Sequence, residues 1–297
     1  MIADDAGRKP LPGRTVPGVS PKMQRRLRGI FAALQFVSTS LAARLALRMF
    51  LTPPRRRLDP EDVPIVAQAT RHSLHAGGDE FTIWRWDGPG PAVVLLHGWG
   101  SHAARFGSFI APLRAAGFSV IGIDAPAHGE SPGRQSDLLK FRDCLAEVLS
   151  SHSPVHAVVG HSLGGGALLT VLAETREHHP DKICLFGVPS DMDYILESFT
   201  MMLSLQEPAR ASLQRRFEKR FGRSAKAISV VAAAPSVRIP VLVVHDDEDN
   251  VAPIAQGLAV AAALPGATLI RTKGFGHSGA LRDPATIAQV VSFLTTP

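Results

Sequence analysis

The sequence predicts an α/β fold, a mostly parallel sheet with helices on both faces. Three observations predict it. Short apolar runs such as Ala92-Val93-Val94-Leu95-Leu96 lack polar alternation, as expected of strands covered on both sides. From residue 92 to the chain end these runs alternate with helical patterns, the mark of strand-helix-strand units. Finally, 297 residues with 45% hydrophobic and 20% charged side chains suit a sizeable globular core, which excludes a chain disordered throughout, a collagen and a coiled coil.

The N-terminal stretch to Pro21 contains Pro and Gly, shows no apolar periodicity and is predicted to be disordered. Between Arg25 and Leu51, the residues Leu27, Ile30, Leu34, Val37, Leu41 and Leu45 recur at spacings of three and four. They predict one amphipathic helix with a single apolar stripe, interrupted by Arg44 and Arg48 and ended by Pro53-Pro54. Residues 1–57 form a basic leader, with 12 Lys or Arg against Asp4 and Asp5. The other 240 residues carry 20 basic and 24 acidic groups, so the formal charge of +6 resides in the leader and the globular part is not built to bind nucleic acid. The leader's uninterrupted apolar segment, Gly29 to Ala43, is 15 residues, short of the roughly 20 a spanning helix needs. A helix docked on the body is the first reading. A helix lying on an anionic membrane, giving peripheral contact through residues 22–57, is the second. A spanning helix and a cleaved signal ending near Ser40-Leu41-Ala42 are lesser alternatives. Cys144 and Cys184, both in apolar patterns, encode no disulfide framework and no Cys-rich metal site, which suits a reduced, cytoplasmic compartment.

Thr70–Ala76 and Asp79–Trp86 flank Gly77-Gly78 and predict a hairpin. The buried strand 92–96 follows and stops at His97-Gly98-Trp99-Gly100. A helix through Phe109, Leu113 and Ala116 leads to a second buried strand, Phe118 to Ile123, ending at Asp124. Then come a helix over 138–150, a strand over His156–Val159, a helix over Ser162–His178 and a strand over Lys182–Phe186. Strands over Val241–Val244 and Ala267–Arg271 and a closing helix over Pro284–Leu294 complete the alternation. Ligand chemistry in such a fold sits at the C-terminal ends of the strands.

Gly160-His161-Ser162-Leu163-Gly164 is a G-x-S-x-G element, weak alone and specific in context. An apolar strand precedes it and a Gly- and Ala-rich helix follows, so Ser162 occupies a tight strand-to-helix turn at a helix N-terminus, where developing negative charge is favoured. A serine hydroxyl needs a base, itself oriented by a carboxylate. Candidates for both lie downstream, in His245-Asp246-Asp247-Glu248-Asp249-Asn250-Val251-Ala252-Pro253 and in Gly274-Phe275-Gly276-His277-Ser278.

On these motifs the chain resembles an α/β-hydrolase of the esterase and lipase branch, over roughly residues 70–297. The resemblance implies Ser162 as nucleophile, His277 as base and Asp249, four residues before a Pro, as acid. Asp191 or Asp193 is the alternative acid, and Asp246 and Asp247 are expected to be solvated loop charges, although Asp246 departs from the pattern by standing at a usual Gly site. His97-Gly98-Trp99-Gly100 resembles the family's H-G-x-G turn, so the backbone amides of Trp99 and Leu163 are expected to form the oxyanion hole. His97 is expected to brace that loop, and the His128 loop to matter for shape.

Residues 190–238 depart from the alternation and predict a helical cap inserted into a core of residues 65–189 and 239–297. Tyr194, Ile195, Ser198, Met202 and Leu205 mark one cap helix, and Leu213, Phe217 and Phe221 another. The implied activity is hydrolysis of a small-molecule carboxylic ester through an acyl-enzyme, with no cofactor and no metal. Thioester hydrolysis and acyl transfer use the same residues. A non-catalytic scaffold tethered to membrane by its basic leader is the alternative from another class.

Overall fold

A computed structural model gives the structure, and residues 20–175 and 177–296 are described. The disorder predicted up to Pro21 lies, except for Ser20 and Pro21, outside these residues. In chain order the helices and strands begin with α1 (Pro21–Val37), α2 (Thr39–Phe50) and a one-turn α3 (Val63–Val66). The hairpin β1 (Thr70–Ala76) and β2 (Asp79–Trp86) follows, then β3 (Ala92–Leu96), α4 (Gly107–Ala115), β4 (Ser119–Asp124), α5 (Leu138–Ser151), β5 (Val155–His161), α6 (Leu163–Glu174) and β6 (Lys182–Phe186). Three helices, α7 (Met192–Met202), α8 (Glu207–Phe221) and α9 (Val230–Ala233), separate β6 from β7 (Val241–Asp246). The chain ends with α10 (Ile254–Ala263), β8 (Thr268–Thr272) and α11 (Pro284–Thr295).

One eight-stranded sheet, in the order β1-β2-β4-β3-β5-β6-β7-β8, runs through the molecule. β2 is antiparallel to both β1 and β4, and the pairs from β4 through β8 are parallel. The predicted fold class is the observed one. Side chains alternate across each strand. Val93 and Leu95 enter a core with Phe106, Phe109 and Leu113 from around α4 and Ile287 and Val290 from α11. Val94 and Leu96 enter the opposite core with Phe141 and Leu145 of α5 and Leu168 and Leu172 of α6. Because α4 and α5 lie on opposite faces, the strand order reverses at β3, and a crevice opens beyond the carboxyl ends of β3 and β5.

The leader departs from the single predicted helix. Ser38 has an extended backbone (φ −162°, ψ 112°), ends α1, and caps α2 by accepting a hydrogen bond from the Leu41 amide at 3.2 Å. A Ser-Thr-Ser run favours a new N-terminus over helix continuation, because the hydroxyl competes for backbone donors. The apolar stripe is split as well. Leu27, Leu34 and Leu45 pack against the core, while Ile30, Val37 and Leu41 are exposed. The inward face of α2 is made of Ala42, Ala43 and Ala46, all fully buried, and their small side chains let α2 pack closely on α8. Arg28 donates to the Met202 carbonyl (3.1 Å) and Gln35 to that of Ser204 (3.3 Å), holding α1 against the α7–α8 connection. Among the described residues, no helix is long and apolar enough to cross a membrane.

Candidate active site

Ser162 stands between β5 and α6 with φ 52° and ψ −118°, a backbone region that non-glycine residues rarely occupy. Strain of this kind persists only where the surroundings fix it. Here the Ser162 amide donates to the Phe186 carbonyl at 2.8 Å, and the Ser162 carbonyl accepts from Gly166 at 3.1 Å. Two glycines let the neighbouring backbone close in. A Cβ on Gly164 would lie 2.4 Å from the Leu96 carbonyl oxygen, and one on Gly98 would lie 3.0 Å from Ser162 Cβ. The 97–100 turn is thereby drawn against the elbow. Leu163 opens α6, so its amide has no intrahelical acceptor.

Asp249 lies on the loop after β7 and is almost fully buried. Its Oδ1 accepts from the amides of Val251 (2.8 Å) and Ala252 (2.9 Å), and its Oδ2 accepts from His277 Nδ1 at 2.8 Å. Burial alone would raise the carboxyl pKa. The hydrogen bond from His277, with those from the two amides, outweighs burial and holds the pKa below the ordinary carboxylate value. With Nδ1 donating to Asp249, the neutral imidazole keeps its lone pair on Nε2. Asp191 instead caps α7, accepting from the Tyr194 amide at 2.7 Å, and Asp193 sits in that helix's first turn.

Asp246 is not a solvated loop charge. It is buried, and its two oxygens accept from the amides of Glu248, Phe275 and Gly276 and the hydroxyl of Thr272, at 2.8–3.1 Å. Two of these donors immediately precede His277, so Asp246 fixes the turn that carries it. These hydrogen bonds overcome the cost of burial and lower its pKa. Asp247, by contrast, pairs at the surface with Arg271 (2.8 and 3.0 Å).

Three buried histidines brace the surrounding loops. His97 Nε2 accepts from the Ala125 amide (3.1 Å), so the proton is on Nδ1, which donates to the Gly98 carbonyl (2.7 Å). His128 Nδ1 bonds the Pro126 carbonyl (3.0 Å). His161, beside Ser162, donates from Nε2 to the carbonyl of His277 at 2.9 Å, tying the serine's own turn to the histidine's backbone. Burial pushes the pKa of each down to about 3, so all three are neutral at pH 7. Arg105 adds a further tie, donating to Ser278 Oγ at 2.8 Å.

Above these residues lies a cavity of about 530 Å³. Trp99, Ser162, Leu163 and His277 line it, together with the apolar side chains of Ile195 and Phe199 of α7 and Phe217 of α8. The leader adds to the wall through Leu27, Met49, Phe50 and Leu51.

Residues 93–290 match the model of the alpha/beta hydrolase family, two thirds of the sequence. The chain belongs to that family. It is similar to the pimeloyl-[acyl-carrier protein] methyl ester esterase of Chromobacterium violaceum, 42% identical over 98 residues, which cover 32% of this chain and 35% of that protein. The esterase of the same name from Aromatoleum aromaticum is 27% identical over 247 residues, covering 68% of this chain and 96% of that one. The match thus spans about a third of the length of the first of these relatives and nearly all of the second. Among solved structures, an esterase from Rhodococcus sp. ECU1013 superposes with a TM-score of 0.59 at 19% identity, covering 77% of this chain and 99% of that one, a likeness of fold.

In this alpha/beta hydrolase, four contributions escaped the sequence reading: Asp246, His161, Arg105 and the leader's share of the cavity. A signal existed for Asp246, since an acidic residue closing a buried strand must find hydrogen-bond donors. The pairing of His161 with a backbone carbonyl 116 residues away has no local signature.

Proposed function

We propose that the protein is a carboxylic ester hydrolase working through an acyl-enzyme, with Ser162, His277 and Asp249 as its catalytic residues. The observation that carries this reading is the buried Asp249–His277 hydrogen bond, opening with Ser162 onto one apolar cavity. In the first half-reaction Ser162 Oγ attacks the ester carbonyl as its proton passes to His277 Nε2, and the charge on the imidazolium is held by Asp249. The oxyanion forms against the amides of Trp99 and Leu163, each worth about 3 kcal/mol in the transition state. Collapse expels the alcohol, which takes the proton from His277. A water then gives a proton to the same nitrogen, attacks the acyl carbon, and releases the acid as Ser162 regains its proton. The cavity walls favour an apolar acyl or alcohol group on a small-molecule ester, with residues 190–238 acting as a cap. The names of the two bacterial relatives, both methyl ester esterases, favour oxygen esters over thioesters.

Hydrolysis of p-nitrophenyl butyrate tests the proposal. Ser162→Ala and His277→Ala should each lower kcat by at least about 10⁴-fold, and the double variant should lose little more, because the residues act as a unit. Retained activity in Ser162→Ala overturns it.

A further inference from the structure

Among the described residues, exposed large hydrophobic side chains concentrate on the outer side of the leader. Of nine large hydrophobic side chains exposed by 41% or more among the described residues, five lie between Met23 and Leu41, with Phe36 at 94% and Val37 at 77%. Single exposed apolar residues are ordinary, but a cluster on two consecutive helices is not. Exposed Lys22, Arg25, Arg26 and Arg44 interleave with them, and residues 20–57 contain nine Lys or Arg and no acidic residue. Arg216 of α8 reaches the same helix pair, donating to Ser40 Oγ at 2.8 Å. Apolar side chains set among cations on a surface helix match one environment best: acyl chains below anionic headgroups. A protein partner with acidic side chains would satisfy the cations but offers nothing specific to Phe36 and Val37.

The opposite side of these helices faces the cavity, through Leu27 on α1 and Met49 and Phe50 on α2. We infer that the outer face of α1 and α2 docks the protein on an anionic bilayer, and that the cavity walled by the same helices receives its ester from that surface. The second half of this inference rests on the hydrolase reading, and the first does not.

The test is co-sedimentation of the full-length chain with phosphatidylglycerol/phosphatidylcholine vesicles and with pure phosphatidylcholine vesicles. Wild type should bind the anionic vesicles, more weakly as salt is raised, and bind the neutral ones at least tenfold less. Phe36→Glu/Val37→Glu should lower binding to anionic vesicles at least tenfold, yet turn over a soluble short-chain ester at the wild-type rate. The same variant should hydrolyse a long-chain ester dissolved in those vesicles several-fold more slowly than wild type. Vesicle binding equal to wild type in this variant overturns docking through this face. Failure of wild type to bind anionic vesicles also overturns it, and concentration-dependent self-association lost in the variant would then assign the face to a second copy. Vesicle binding by an inactive wild type would leave docking standing and remove the hydrolase reading, so the two fail separately.

Discussion

Asp246 and Asp249 stand three residues apart and hold the two sides of one histidine: Asp249 binds its ring, and Asp246 binds the turn that carries it. Replacing Asp246 by Asn puts an NH₂ group where an acceptor is needed and leaves at least one buried backbone donor unpaired, a cost of about 1–3 kcal/mol. Asp246→Asn should lower both Tm and kcat, whereas Asp247→Asn, at a surface ion pair, should change neither appreciably. Equal effects from the two would contradict the role given to Asp246. The sequence made Ser162 and His277 legible as candidates because the proposed chemistry demands a fixed local context, strand-turn-helix for one and a Gly-rich turn for the other. It did not separate Asp246 from Asp247, since burial is decided by Thr272 and the 274–277 turn, more than 25 residues away.

The buried histidines set a pH dependence. His97, His128 and His161 have folded pKa values near 3 against an ordinary value of 6.5, so the unfolded chain binds more protons between those limits and stability falls as pH is lowered through that window. At pH 5 one such histidine costs on the order of 2 kcal/mol. Asp246 and Asp249, with lowered pKa values, add their losses only below the ordinary carboxylate range. Thermal melting should therefore show Tm dropping already between pH 6.5 and 4.5. A flat Tm over that interval would contradict buried, neutral histidines.

At the scale of elements, the sequence pattern placed every strand of the sheet, most plainly β3 to β7, which are parallel to their inner neighbours, apolar on both faces and bounded by turns, whereas the edge strand β8 is partly exposed. The same reasoning joined α1 and α2, since a stripe of leucines at helical spacing looks continuous unless the capping strength of Ser38 is weighed against it. The seam between α2 and α8 is the alanine face, which carries little hydrophobic signal. Ala43→Leu should push α2 off α8 and destabilise the protein by about 1–3 kcal/mol. Chemical denaturation measures this, and an unchanged midpoint would mean that α2 does not pack as described.

For the whole molecule, the cavity is assembled from chain segments far apart in sequence: the leader, the elbow, the helices between β6 and β7, and the loops of Asn250 and His277. No single segment announces it, which is why sequence reading reached the catalytic candidates but not the shape of their pocket. If the leader is a wall of the substrate site, Leu27→Trp, which adds bulk from α1 into the cavity, should shift the preferred acyl chain of a p-nitrophenyl ester series from C4 to C12 toward shorter members. An unchanged chain-length profile would place the substrate elsewhere.

In the proposed mechanism Ser162 is an activated nucleophile whose base is His277. Intact-mass measurement after treatment with a fluorophosphonate probe tests it most directly, with Ser162→Ala and His277→Ala alongside. One adduct is expected on wild type and none on either variant. An adduct that persists in Ser162→Ala, or no adduct on folded wild type, would contradict it.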